Sequence, residues 1–181
     1  MNLMRTLLFK LRLVKIKAGI IFLGLSNSGK TTIVYNLTKD PLELVAPTVG
    51  FAIEQVNMDG IKVKMMDMSG QKKYQNLWEH YYEECKAVVF VIDAANPDVF
   101  SEANTCLQEV LHAPLIKDRP LLIFCNKMDL TTAIPTAELA AYFALPTERT
   151  RPFQIQPCSA IRGEGIQDGM KWLLEQIKKI S

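Results

Sequence analysis

The sequence predicts an α/β fold in which a mostly parallel sheet carries helices on both faces. Two continuous apolar runs, at 87–92 and 121–125, are typical of parallel strands that are buried on both sides. Segments with helical periodicity alternate with such runs along the chain. A glycine-rich loop at 24–29 lies between an apolar run and a helical pattern, which is the setting that a phosphate-binding loop requires.

Length and composition indicate one globular domain. The chain has 181 residues, of which 49% are hydrophobic and 22% are charged, so a sizeable core can form without disulfides. The four cysteines show no C-x-x-C spacing, which favours reduced thiols, and two histidines make a zinc site a poor explanation. The net charge of +2 comes from an excess of basic residues at one end, which argues against a nucleic-acid-binding surface.

The first 17 residues contain five basic and no acidic side chains. On a helix, five apolar residues share one arc: Leu3, Met4, Leu7, Leu8 and Leu11. We interpret 1–15 as a basic amphipathic helix that lies on a membrane surface or folds back on the domain. A mitochondrial transit peptide, which is also basic and free of acids, stays open as an alternative. Basic residues interrupt any secretory signal, and no run approaches the roughly 20 apolar residues of a membrane span.

The next elements follow from local patterns. Alternation of apolar and polar residues from about 12 to 23 predicts the first strand. After the glycine loop, Ile33, Val34 and Leu37 predict a helix that extends to Lys39. We expect a loop at 40–47, because its two prolines disfavour a helix.

A hairpin comes next, since β-like runs at 51–56 and 61–66 flank the turn residues Asp59-Gly60. The remaining patterns predict a helix at 99–110, a short helix at 137–143, a strand near 153–155 and a final helix at 166–177. Together with the two buried runs, these elements predict a six-stranded, mostly parallel sheet with one antiparallel edge strand and helices on both faces.

The glycine loop matches G-x4-G-K-[ST]. Its glycines let successive amides converge on an anion, and the helix that follows adds its positive end. Lys30 can reach the terminal phosphates and the Thr31 hydroxyl can ligate Mg²⁺. The candidate phosphate-binding residues are Gly24, Asn27, Ser28, Gly29, Lys30, Thr31 and Thr32.

A second group of residues is placed to sense the terminal phosphate. Asp67 ends the second hairpin strand and can hold Mg²⁺ through water, while the Gly70 amide can approach the γ-phosphate. Gln71 can orient the attacking water, so the candidate catalytic residues are Gln71, Lys30 and Gly70. The Thr48 hydroxyl can complete the Mg²⁺ shell only when a γ-phosphate is present, which would make its loop a sensor.

A third group distinguishes guanine from adenine. Asn126-Lys127-Met128-Asp129 follows the strand at 121–125. The Asp129 carboxylate can accept from guanine N1–H and from the 2-amino group, whereas adenine offers no such pair of donors. Asn126 can read N7 or brace the loop, and the Lys127 stem can cover the base. Ser159-Ala160, after the last strand, can supply a backbone amide to guanine O6.

In this order, the motifs resemble those of the Arf-like small GTPases of the Ras superfamily over nearly the whole chain. They lie at 24–32, 47–51, 67–71, 126–129 and 159–160. The residues at 67–71 and 76–82 are most similar to the sixth Arf-like subtype, the ciliary branch associated with the Bardet–Biedl coat. The resemblance implies the small G-protein form of the P-loop NTPase fold, with 16–181 as the GTP-binding domain.

The resemblance also implies a monomeric switch that binds GTP or GDP with Mg²⁺ and recruits a coat or trafficking effector in ciliary transport. It implies a cytoplasmic protein, reversibly bound to membranes through residues 2–17, with a place at the ciliary base or in the cilium. In such proteins the hairpin slides between two registers and GTP releases the N-terminal helix. Exchange and GTPase-activating proteins are expected partners. The implied effector surface comprises Phe51, Met66, Leu77, Trp78 and Tyr81.

The sequence departs from the family pattern at three positions. Ser69 stands where most Arf proteins have glycine, and the ciliary subtype has the same serine. Asn2 stands where relatives have a myristoylated glycine, which excludes that modification in the sequence as it stands. Ser26 stands where many relatives have an aspartate. We find no arginine placed to act in cis, so we expect slow hydrolysis unless a partner accelerates it. A module that binds guanine nucleotides without cycling, and another Arf-like branch in vesicle trafficking, stay open as alternatives, while a P-loop kinase lacks an evident acceptor pocket.

Overall fold

The computed structural model describes residues 16–39, 48–144 and 151–180. The predicted N-terminal helix, the start of the predicted first strand and the proline-containing loop lie outside these residues. None of the helices in the described ranges is long and apolar enough to cross a membrane.

A six-stranded sheet forms the centre of the fold. Its strands are β1 Ile16–Leu23, β2 Phe51–Met58, β3 Ile61–Met68, β4 Cys85–Asp93, β5 Leu121–Asn126 and β6 Phe153–Pro157. The spatial order is β2-β3-β1-β4-β5-β6. The hairpin pair β2–β3 is antiparallel and the other four pairs are parallel, so the predicted mostly parallel sheet with one antiparallel edge strand is confirmed.

Within the described ranges, four α-helices pack on the sheet: α1 Lys30–Thr38, α2 Phe100–His112, α3 Thr136–Tyr142 and α4 Ile166–Ile180. All four lie within three residues of the predicted bounds. Two 3₁₀ segments, Lys72–Tyr81 and Pro97–Val99, complete the described elements. The first of these was not predicted, because Trp78 is its one fully buried residue and a single apolar anchor produces no periodic pattern.

The core has two halves, one on each face of the sheet. In β1, Ile21 and Leu23 face one half, and Ile20 and Phe22 face the other. Helices α1 and α4 cover the second half, while α2, α3 and the Lys72–Tyr81 segment cover the first. Burying each of these side chains stabilises the fold by about 1.5–3 kcal/mol. This two-sided burial explains why β4 and β5 are continuous apolar runs in the sequence.

The cysteines behave as the composition predicts. All four are free and buried. Burial raises the pKa of the Cys125 thiol to about 12 and that of the Cys85 thiol to about 11. Because the thiolate is the reactive form, these residues act as small apolar side chains of the core.

Candidate functional site

The phosphate loop joins β1 to α1 at the carboxyl end of the sheet, where ligands bind in folds of this class. It forms one wall of an open pocket of about 370 Å³. Predicted site residues that line this pocket are Asn27, Gly29, Lys30, Thr31, Thr32, Thr48, Gly70 and Gln71. Ser26, Met68 and Ser69 also line it and were not among the candidates. The structure therefore brings the loop and the two sensor segments around one space.

Glycine is required where the loop enters α1. Gly29 has φ +98°, a conformation that side chains rarely adopt, and a Cβ there would overlap the side-chain amide of Asn126. Glycine is also required at Gly24, directly after β1. Its φ is +132°, and a Cβ there would overlap the carbonyl oxygen of Val91. The loop can therefore lie against β4 and Asn126 only with glycines at these two positions.

Lys30 lies at the start of α1 with its side chain buried. Its Nζ donates a hydrogen bond to the carbonyl oxygen of Leu25 at 2.8 Å, across the loop. Burial lowers the pKa of Lys30 to about 8, and the negative charge of Asp67 opposes part of this shift. A phosphate oxygen in the pocket would supply the anionic partner that the buried ammonium lacks.

This pKa leads to a testable pH dependence of nucleotide affinity. The charged ammonium is the form that binds phosphate. The affinity for nucleotide should therefore be highest well below pH 8, where Lys30 is fully protonated, and should fall as pH rises through 8. Between pH 7 and 8.5, a pKa of about 8 reduces the protonated fraction about fourfold, and we expect GDP binding measured by calorimetry to weaken by the same factor.

Lys30→Arg provides the control, because a guanidinium stays charged over this range. Whatever its absolute affinity, this variant should show no slope between pH 7 and 8.5. Equal slopes in the two proteins would mean that Lys30 is not the titrating group.

Three predicted metal ligands form one cluster. The Thr31 hydroxyl donates to Asp67 Oδ2 at 2.6 Å, and the Thr48 hydroxyl donates to the same oxygen at 3.2 Å. The two hydroxyl oxygens are 3.0 Å apart. Three segments that are distant in the sequence, α1, the residues before β2 and the end of β3, therefore meet at Asp67.

The donor set fits Mg²⁺. Asp67 Oδ1 is buried and has no hydrogen-bond partner, so one carboxylate oxygen is left for a cation or its water. Burial raises the pKa of Asp67, while the Thr31 hydroxyl, the Lys30 charge and the Thr48 hydroxyl act in the opposite direction. A bound cation would hold the carboxylate in its charged form, and hydroxyl and carboxylate oxygens are the ligands that Mg²⁺ prefers.

Gly70 lies directly against the phosphate loop. A Cβ at this position would overlap the backbone of Leu25 and Ser26. Gln71 follows as the residue before the Lys72–Tyr81 segment, and its amide donates to the Ser69 hydroxyl at 3.4 Å. Gly70, with the predicted sensor amide, and Gln71, predicted to orient water, therefore both border the pocket.

Asn126 braces the site, which is one of the two roles predicted for it. Its Nδ2 donates to the carbonyl oxygen of Ser28 at 2.8 Å, and its Oδ1 accepts from the Ala160 amide at 2.9 Å. The side chain thus ties the phosphate loop to the segment after β6. Ser159-Ala160 was predicted to supply a backbone amide to guanine O6. In this arrangement the Ala160 amide donates to Asn126 and the Ser159 amide donates to the carbonyl oxygen of Glu164, so either can reach O6 only by sharing or exchanging its hydrogen bond.

Asp129 and Ser159 form the rest of the base-recognition group. The Ser159 hydroxyl donates to Asp129 Oδ1 at 2.6 Å. This hydrogen bond is the main cause of a lowered pKa of Asp129, with smaller contributions that include the charges of Arg162 and Lys127. The carboxylate is therefore ionised at neutral pH, as it must be to accept two hydrogen bonds from guanine.

Sequence reasoning missed Asp93. This buried residue ends β4, and its Oδ2 lies 2.6 Å from Lys127 Nζ. Its Oδ1 accepts from the Ala95 amide at 3.1 Å, so both oxygens are engaged. The ion pair holds the side chain of Lys127. The backbone of this residue has φ +69°, in the left-handed region. An acidic residue directly after the apolar run at 87–92 was the available signal.

The predicted effector surface needs a correction. Met66 is fully buried and Trp78 is 4% exposed, because both side chains belong to the core between the sheet and the Lys72–Tyr81 segment. They are not available to a partner in this conformation. Phe51 is exposed and packs against Tyr81, with ring centroids 4.8 Å apart and the ring planes tilted by 50°, while Leu77 is partly buried.

Comparisons with known proteins agree with this geometry. Residues 4–177 match the model of the ADP-ribosylation factor family. ADP-ribosylation factor-like protein 3 of Chlamydomonas reinhardtii is 40% identical over 162 residues, which cover 90% of this chain and 92% of the relative. The structure of the Arl6/BBS3 small GTPase from Trypanosoma brucei, solved with the bound nucleotide analogue GppNp, matches with a TM-score of 0.84. It is 32% identical, and the match covers 91% of this chain and 99% of that one.

Proposed function

The chain belongs to the ADP-ribosylation factor family of small GTPases, and on that premise we propose that it is a GTP/GDP switch that recruits a coat or trafficking effector to membranes in ciliary transport. The observation that supports a switch most strongly is the cluster of Thr31, Thr48 and Asp67 beside the phosphate loop. The ciliary assignment rests on the similarity to the Arl6/BBS3 structure and on the residues at 67–71 and 76–82.

The proposed hydrolysis follows from the positions of these residues. Lys30 and the loop amides bind the phosphates, and Thr31, Thr48 and Asp67 would hold Mg²⁺, which would neutralise negative charge on the phosphates. Gln71 orients a water that attacks the γ-phosphorus as the bond to the GDP oxygen breaks, releasing GDP and inorganic phosphate. No arginine lines the pocket within the described residues, which supports slow turnover that an activating partner would accelerate.

Loss of the γ-phosphate explains why such a site would act as a switch. Thr48 and Gly70 belong to different segments, and each would lose a ligand when phosphate leaves. The segment of Thr48 leads into β2, and the segment of Gly70 follows β3, so both are continuous with the hairpin. They are also joined to each other, since the Ser69 amide donates to the carbonyl oxygen of Gly50 at 2.9 Å. Hydrolysis would therefore alter the surface around Phe51 and Tyr81, where we propose that the effector, with Leu77, makes contact.

We propose that residues 2–17 supply the membrane contact. The segment carries five basic side chains, and each one near an anionic membrane contributes about 1 kcal/mol. An amphipathic helix alone binds membranes weakly and reversibly. This suits a protein whose attachment is controlled by the nucleotide.

The switch is tested by loading the protein with GTP and following the bound nucleotide by chromatography. Wild type should convert GTP to GDP slowly, and Gln71→Leu should keep bound GTP at least about tenfold longer, because the side chain no longer orients water. Equal conversion in both proteins would remove Gln71 from catalysis. Failure of wild type to hydrolyse GTP at all would favour the module that binds nucleotide without cycling.

Co-sedimentation with vesicles of phosphatidylcholine and phosphatidylserine tests recruitment in the same proteins. Wild type with GppNp and Gln71→Leu with GTP should sediment, whereas GDP-loaded protein should stay in solution. The matched control lacks residues 1–15 and should not sediment in either state. Equal binding in both nucleotide states would contradict controlled release of the N-terminal segment and would return the transit-peptide interpretation to consideration.

A further inference from the structure

The indole of Trp78 holds a backbone group of the phosphate sensor. The side chain is 4% exposed, and its Nε1–H donates a buried hydrogen bond to the Ser69 carbonyl oxygen at 3.1 Å. Packing alone does not require this donor, since a phenylalanine would also fill an apolar site. The hydrogen bond therefore has a role that is separate from the burial of the ring.

The Ser69 carbonyl and the Gly70 amide belong to one peptide unit. None of the described residues has a cis peptide bond, and in a trans peptide the C=O and N–H groups point in opposite directions. With the carbonyl held by Trp78, the Gly70 N–H points away from the indole.

The phosphate pocket lies at this peptide. Ser69 and Gly70 both line it, and Gly70 is packed against the loop. Among the described residues, no acceptor receives the Gly70 N–H. An amide that borders this pocket and has no acceptor in the described protein is placed to donate to a bound anion.

The neighbouring groups are also held in place. The Ser69 amide donates to the carbonyl oxygen of Gly50, and Gln75 Nε2 donates to the Gly70 carbonyl oxygen at 3.4 Å. The indole thus completes a set of hydrogen bonds on both sides of the Gly70 amide. It is the member that comes from the hydrophobic core.

We propose that Trp78 is a positioning residue for triphosphate recognition: its indole N–H fixes the Ser69–Gly70 peptide so that the Gly70 amide faces the γ-phosphate. The inference rests on the proposed function and extends it, because a core side chain then contributes to the preference for GTP over GDP. GDP has no γ-phosphate, so loss of the indole hydrogen bond should affect GDP binding little.

Trp78→Phe tests this by removing the donor and keeping an aromatic ring. We expect affinity for GppNp to fall about tenfold, the usual effect of losing one buried hydrogen bond, while affinity for GDP stays within about twofold. Single-turnover hydrolysis should also slow, because Gln71 follows the displaced peptide. Trp172→Phe is the matched control, since Trp172 lies on α4 against the other half of the core, and both affinities should stay at the wild-type value.

A second variant guards against misfolding of the first. In the Trp172→Phe background, Trp78 is replaced by benzothienylalanine, which has the shape of tryptophan but sulfur in place of the N–H. The same selective loss of GppNp affinity would support the proposal. An unchanged ratio of the two affinities, or an equal loss of both, would overturn it while leaving the GTPase assignment intact; wild type that bound neither nucleotide would overturn both.

Discussion

Gly70→Ala is expected to abolish stable GppNp binding and to leave GDP affinity within a few-fold of wild type. The φ angle of Gly70 lies outside the left-handed region, so the reason is contact alone: a Cβ would overlap the backbone of Leu25 and Ser26. These are backbone atoms, which shift at a higher cost than the end of a flexible side chain, so we expect residues 69–71 to retreat from the pocket. Overpacking costs about 1–3 kcal/mol, and loss of a hydrogen bond to a charged phosphate costs about 1.5–3 kcal/mol. Together these predict a loss of GppNp affinity of about 100-fold or more.

Gly60→Ala separates this contact from the general effect of replacing a glycine. Gly60 lies in the hairpin turn with φ +80°, and a Cβ there meets nothing within 4 Å. The free energy of unfolding of this variant should be lower by about 1 kcal/mol, but its affinity for both nucleotides should equal that of wild type. Titration with fluorescent GDP and with fluorescent GppNp measures the affinity of each variant relative to wild type. Wild-type GppNp affinity in Gly70→Ala would mean that residues 69–71 do not approach the loop when triphosphate is bound.

The sequence was sufficient to predict the elements and to identify candidate residues, most of which surround one pocket or its neighbouring loops, because the relevant signals are local. A phosphate loop is read from nine consecutive residues, and Asp67 and Asn126 each come at the end of a recognisable strand. Parallel strands place their carboxyl ends along one edge, so the fold itself implies that these loops meet. Prediction of the strands therefore carried prediction of the pocket.

Contacts between distant segments were the part that could not be predicted. Asn126 contacts Ser28 and Ala160, residues 98 and 34 positions away. No local pattern shows that the Ala160 amide, one of the two candidates for binding guanine O6, donates to Asn126 instead. The same holds for the ion pair of Asp93 with Lys127. Each side chain can satisfy several partners, and the packing of the whole domain selects among them.

Burial of the proposed effector residues was mispredicted for a related reason. Met66 lies on β3, which is an interior strand of the sheet, and Trp78 lies in a 3₁₀ segment that has no periodic signal. Family resemblance suggested a surface, whereas the position of each side chain relative to the core decides exposure. Trp78 proved to be informative because it is buried, since its indole then holds the Ser69 carbonyl.

Asp129→Asn is expected to lower GDP affinity about 1,000-fold and to make xanthosine diphosphate the preferred ligand. Guanine presents two donors, N1–H and the 2-amino group, and loss of two hydrogen bonds to a charged acceptor costs about 3–6 kcal/mol. Asparagine has one acceptor oxygen, and the Ser159 hydroxyl donates to Oδ1 at this position. We expect the amide oxygen to stay on Ser159 and the NH₂ group to face the base. Xanthine has a carbonyl oxygen in place of the 2-amino group and can accept that hydrogen bond.

The double variant Asp129→Asn/Ser159→Ala tests whether Ser159 sets this orientation. Without the hydroxyl, the asparagine amide can turn its oxygen toward guanine N1–H, so the preference for xanthosine diphosphate should shrink about tenfold, the effect of one hydrogen bond. Competition of both diphosphates against fluorescent GDP measures the preference in each protein, with Ser159→Ala alone as the reference. If the double variant keeps the full preference, the base alone orients the amide, and the short Ser159–Asp129 hydrogen bond serves to keep the carboxylate ionised.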